Sequence, residues 1–89
     1  MIYVISDGMG HIKVGKSRDP ESRLRALQTG HANELRLIFC IDMPDWEEAF
    51  FHDLLSEDHI RGEWFHDTER ARKNLNIHGK LFVPVLESA

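Results

Sequence analysis

The chain has 89 residues, 42% apolar and 29% charged, with a formal net charge of −4. That length holds one small domain with its own core. The composition excludes a disordered polymer, and no apolar run approaches the roughly 20 residues of a membrane-spanning helix.

Ile2 to Ser6 alternates as a strand, with Ile2 and Val4 on one face and Tyr3 and Ile5 on the other. It has neither the basic region nor the cleavage site of a signal peptide. Asp7-Gly8-Met9-Gly10 reads as a turn. His11 to Gly15 returns as the second strand of a hairpin, which places Tyr3 and Lys13 on a shared face. Asp19 before Pro20 predicts a helix start, with Leu24 and Leu27 as the buried stripe and Gly30 as the C-terminal cap. Leu35 to Ile41 is almost wholly apolar and predicts a central strand. Pro44-Asp45 opens a second helix to about Glu57, whose core face is Trp46, Phe50, Phe51, Leu54 and Leu55. Gly62-Glu63-Trp64-Phe65 reads as a short ordered link in which Glu63 is structural. Asp67 or Thr68 caps a third helix ending near Gly79, and Leu81 to Leu86 forms an extended edge held there by Pro84. The expected fold is α/β: a single domain, residues 1–89, with a small, mainly antiparallel three-stranded sheet flanked by helices.

Charge is unevenly placed along this fold. Residues 11–36 carry six Lys or Arg against three acids, whereas residues 42–58 carry seven acids and neither Lys nor Arg. A dipolar surface of this kind binds through its local field and not its net charge. Cys40 stands alone, which excludes an internal disulfide and suits a reducing, cytoplasmic setting. Six histidines invite a zinc site, but structural zinc takes four ligands in close pairs, and the chain has one cysteine and no paired spacing.

Tyr3, Lys13 and Arg23 bring a phenol, an ammonium and a guanidinium to one sheet-and-helix corner, and a helix carboxylate follows. Those groups suit phosphodiester hydrolysis, which needs an activated water, a cation on the phosphate and stabilisation of the leaving oxygen. A tyrosine serves as base there only if a neighbouring cation lowers its pKa from about 10, and Lys13 across the hairpin is the candidate cation. Each residue also has a plain reading: Tyr3 as a half-buried strand aromatic, Arg23 as cover for its own helix, His52 as a satisfied helix histidine. Glu48 fits a capping box with Asp45, and Glu47 lies nearer the middle of the apolar face as an alternative ligand.

Taken in order, Ile2-Tyr3, Ile12-Lys13-Val14-Gly15-Lys16-Ser17, Arg23-Leu24, Leu27-Gln28-Thr29-Gly30, Glu48 with His52, and Gly62-Glu63-Trp64-Phe65 resemble the GIY-YIG nuclease superfamily. The resemblance runs from residue 2 to about residue 66 and is closest to the compact phage and bacterial members. It implies a metal-dependent DNA endonuclease in which Tyr3 positions or deprotonates water, Gly15 admits close backbone approach and Arg23 contacts the scissile phosphate. Glu48 would bind Mg²⁺ or Mn²⁺, and His52 would orient a phosphate or the leaving group. Lys16, Arg18 and Arg25 are the expected contacts to the nucleic acid, with RNA as an alternative to DNA. Met1 takes the first motif's glycine position, and Lys13 replaces the tyrosine of the second. The rival reading is a non-catalytic nucleic-acid-binding or protein-interaction module on the same fold.

Overall fold

The computed structural model describes residues 1–42, 47–78 and 83–84, and the side chains of all of these except 47, 76–78, 83 and 84. Strands β1 (Ile2–Ser6) and β2 (His11–Lys16) form the expected hairpin, in a register that sets Tyr3 opposite Gly15 and Ile5 opposite Lys13. Asp7 closes its turn. One carboxylate oxygen accepts the amides of Met9 and His11 at 2.8 and 3.1 Å, and the other meets His11 Nδ1 at 2.7 Å. Helix α1 (Pro20–Gln28) begins as read, with the Asp19 carboxylate accepting the Ser22 amide and proline in the first turn. It ends at Thr29, with Gly30 following at a φ of +81°.

β3 (Arg36–Ile41) pairs antiparallel with β1. Helix α2 (Glu47–Leu54) runs into a single 3-10 turn, Ser56–Asp58. β4 (His59–Arg61), Gly62 at a φ of +53° and β5 (Trp64–His66) then make a second hairpin, whose β5 pairs with β2. Helix α3 (Glu69–His78) follows, its Ala71 amide donating to the Thr68 hydroxyl at 3.0 Å, so Thr68 is the cap. Val83–Pro84, as β6, pairs with β3 at the sheet edge. The expectations for Pro44, Asp45, Trp46 and Gly79, for the Glu47 side chain and for the rest of Leu81 to Leu86 concern residues outside those described.

The class matches expectation, but among the described residues the sheet has six strands, in the order β4-β5-β2-β1-β3-β6, and not three. The difference comes largely from Gly62-Glu63-Trp64-Phe65, which turns and pairs instead of linking. Three alternating residues are too short a run to give a strand signal by periodicity.

Both faces of the sheet are covered. Ile2, Val4, Ile12, Val14, Ile38 and Phe65 pack on one face against Phe51 of α2, Leu55 just after it, and Ala71 and Leu75 of α3. Tyr3, Ile5, Leu35 and Leu37 pack on the other with Leu24 and Leu27 of α1 and Trp64. Phe50 does not join the core: it is 46% exposed, with its ring edge-on to Phe51. Positions 51 and 55 take the inward stripe by their four-residue spacing, which turns position 50 toward the flank.

Asp58 ties the 3-10 turn to α3. It is 3% exposed and accepts the Arg70 guanidinium at 3.1 and 2.8 Å. Those bonds, helped by the Thr68 hydroxyl, outweigh burial and hold its carboxyl below the ordinary value of 3.8. A folded-state pKa below the unfolded one stabilises the fold above about pH 4, and that stability is lost as pH falls through the folded value. Asp58→Asn is therefore expected to lower the thermal midpoint at neutral pH and to flatten its decline below about pH 4. Thermal melts across pH check this, and an unchanged acid slope would remove Asp58 from the account.

Candidate functional site

Tyr3 is 1% exposed, yet its hydroxyl reaches a functional corner because the residue opposite it has no side chain. A Cβ built on Gly15 would lie 2.6 Å from Tyr3 Cζ and 2.9 Å from Glu63 Oε1, and closer still to the phenol oxygen. Any larger residue at position 15 would displace the ring or the carboxylate. Gly15 is thus required by close side-chain approach. Its φ lies outside the left-handed region.

Arg23, exposed on α1, brings its guanidinium to the phenol and favours the charged form of Tyr3. Burial pushes the Tyr3 pKa above 10. The Arg23 guanidinium pulls against this, and the carboxylates of Glu63 and Glu48 push it further up. Tyr3 is consequently a neutral phenol near pH 7. The cation beside it is Arg23 and not Lys13, which corrects the expectation from the hairpin. Lys13 Nζ instead pairs with Glu63 Oε1 at 3.0 Å and lies 5.5 Å from the centre of the Trp64 ring.

Glu63 is the residue that sequence reasoning left as structural. The backbone holds it in place, its carbonyl accepting the Val14 amide at 2.9 Å beside the β4–β5 turn. An acid directly before two core aromatics at a strand start was the one available signal.

On α2, Glu48 is half-buried and its charge is felt at the phenol. Its Oε2 is buried with no hydrogen-bond partner among the described residues, a rare condition for a carboxylate oxygen in a folded protein. His52 sits one turn further on. Its Nε2 lies 2.8 Å from the Val14 carbonyl, to which it donates, and its ring meets Phe65 edge-on with centroids 5.1 Å apart. With that nitrogen spent on the backbone, His52 ties α2 to β2 and so sets where Glu48 stands. Lys16, Arg18 and Arg25 are exposed near the end of β2 and on α1, and Arg25 donates to the Ser22 hydroxyl at 3.0 Å.

The structure therefore brings Tyr3, Gly15, Lys13, Arg23 and Glu63 together at one corner, where the charge of Glu48 is felt from α2, with exposed cations beside it. Fold and corner together define a small α/β domain in which a buried phenol meets a guanidinium and the charge of a carboxylate whose Oε2 lacks a partner among the described residues. The family model of the T5orf172 domain matches residues 1–77, and the chain belongs to that family. No curated protein and no solved structure matches the chain significantly. No helix among the described residues is long and apolar enough to cross a membrane.

Tyr3 is the chain's single tyrosine, so tyrosinate absorbance reads this corner directly. Its titration midpoint is expected above 10, higher still in Arg23→Ala and lower in Glu63→Gln. A midpoint at or below the free-phenol value would contradict the buried geometry. Gly15→Ala is expected to cost about 1–3 kcal/mol by overpacking, read by chemical denaturation. Unaltered stability together with an unaltered Tyr3 titration would place the ring elsewhere.

Proposed function

We propose that this domain is a metal-dependent endonuclease of the GIY-YIG type that hydrolyses phosphodiester bonds in DNA. The observation that carries the reading is the meeting of Tyr3, Arg23 and the charge of Glu48 at one corner, from three separate elements. The T5orf172 family is associated with nuclease-like and DNA-binding functions, which supports it.

The residues fit a divalent ion. Glu48 Oε2 is a hard, buried oxygen lacking a partner among the described residues. No group of three or more His, Cys, Asp and Glu gathers among those residues. Glu48 would hold the ion, with water and a substrate phosphate completing its shell, as Mg²⁺ prefers. Bound there, it would supply Lewis acidity to the phosphate and lower the pKa of a coordinated water.

The chain's own groups do the rest. Arg23 offers two parallel N–H groups to the non-bridging oxygens and stabilises the charge that accumulates on them. Tyr3, neutral near pH 7, orients the attacking water by hydrogen bonding; it is not a resting phenolate. Lys13 neutralises Glu63, so that the acid does not repel an incoming phosphate. Lys16, Arg18 and Arg25 draw the polyanion to the corner, a contribution that weakens with salt.

A plasmid-nicking assay with Mg²⁺ and Mn²⁺ titrations, beside RNA and single-stranded substrates, tests the proposal. Glu48→Ala and Arg23→Ala are each expected to lose at least about 100-fold in rate while remaining folded, and Tyr3→Phe roughly as much. Wild-type chain that binds DNA but never cuts it under any divalent ion would instead establish a non-catalytic binding module.

A further inference from the structure

Beside the corner lies a cleft of about 420 Å³ lined by Asp7, His11, His31, Ile60, Arg61 and Trp64. Its volume falls within the roughly 300–1,000 Å³ typical of small-ligand sites. Three of its six lining side chains are aromatic rings. His31 stacks on Trp64 with centroids 5.8 Å apart and planes 28° apart. Ile60 is 43% exposed, and Arg61 is exposed with no carboxylate partner among the described residues.

The walls are fixed before any ligand arrives. His31 Nδ1 accepts the Asn33 amide at 3.2 Å, which orients the ring. The Gln28 side chain clamps the same loop, donating to the Asn33 carbonyl at 2.9 Å and accepting the Leu35 amide at 2.7 Å. On the opposite wall, Asp7 holds His11 at 2.7 Å. Preorganisation of this kind lowers the entropic cost of binding. The corner proposed for phosphodiester chemistry uses none of these six residues.

Lys13 joins the two places: its ammonium lies 3.0 Å from Glu63 Oε1 and 5.5 Å from the Trp64 ring centre. Lys13 and Gly15 are two residues apart on one strand face, about 7 Å along it. Aromatic faces, ring nitrogens and a guanidinium without a carboxylate partner among the described residues, set on the same sheet face as the Tyr3–Arg23 corner, match one ligand chemistry.

We infer that this cleft is a nucleobase subsite, which takes the unpaired base of a nucleotide on the strand whose phosphate lies at Arg23. A base enters beside Trp64 and His31, and Arg61 contacts the adjoining phosphate. Because a paired base cannot stack there, the favoured substrate is single-stranded or locally unpaired. The inference rests on the proposed nucleic-acid reading of the corner but not on catalysis.

The test is made in chelator, so that cutting plays no part. Full-length chain carrying Trp46→Phe leaves Trp64 as its single tryptophan. A short oligothymidylate is expected to quench its fluorescence saturably, and the same strand with abasic sugars throughout to bind roughly 5- to 100-fold more weakly. Fluorescence anisotropy of labelled strands repeats the comparison in a Trp46-containing chain. There, His31→Ala and Arg61→Ala are expected to weaken binding of the intact strand, and His31→Ala to leave the abasic strand unaffected. Equal affinity for intact and abasic strands, for strand and blunt duplex, or for strand and a thymidine mononucleotide would overturn the subsite. Loss of cutting in the nicking assay with base-dependent quenching retained would remove the nuclease reading and keep this one.

Discussion

The candidate site is organised around one steric fact: a buried tyrosine ring lies across a glycine on the neighbouring strand. The β1–β2 register sets Tyr3 opposite Gly15, and the missing side chain leaves a hollow that the phenol and the Glu63 carboxylate share. Arg23 then reaches the phenol from α1, and Glu48 acts on it from α2. Backbone pairing fixes registers far more tightly than surface side chains fix one another, because a slip of one residue would send Tyr3 to the opposite face. The geometry of the corner is therefore inherited from the sheet.

That dependence explains which parts of the molecule were legible in the sequence. The hairpin and the first helix carry local signals: strict alternation around a glycine-rich turn, and Asp19-Pro20 followed by leucines and a glycine. Each signal is satisfied within a few residues, and the structure reproduces each. Phe50 was misplaced because four apolar residues within Phe50 to Leu55 cannot all face inward on one helix, and packing chose positions 51 and 55. The Gly62-Glu63-Trp64-Phe65 stretch misled for another reason. Its strand character comes from pairing with β2, some fifty residues earlier in the chain. Glu63 became visible as a site residue only through that long-range pairing.

The electrostatics followed the same division. Uneven charge along the chain was readable, and the exposed cations around α1 follow it. The partner of each charge was not. Lys13 and Tyr3 share a sheet face as expected, but Glu63 captures the lysine at 3.0 Å and Arg23 takes its place beside the phenol. Burial then decides the protonation state. Removing a phenol from water disfavours its anion, and the two nearby carboxylates add to that penalty against one guanidinium. A tyrosine placed this way is a neutral hydrogen-bonding phenol near pH 7.

Lys13 illustrates how one half-enclosed charge organises its neighbours. A tyrosine at this position would offer a second ring and no charge. A lysine requires a counter-ion in so enclosed a place, and Glu63 supplies it from the β4–β5 turn. The pairing draws that turn against β2, where the Glu63 carbonyl also accepts the Val14 amide. Trp64, next in sequence, is thereby laid beside the lysine on the α1 face, with His31 stacked upon it. The charge at position 13 thus connects the Tyr3–Arg23 corner to the aromatic cleft, so the arrangement of both follows from where a single ammonium finds its carboxylate.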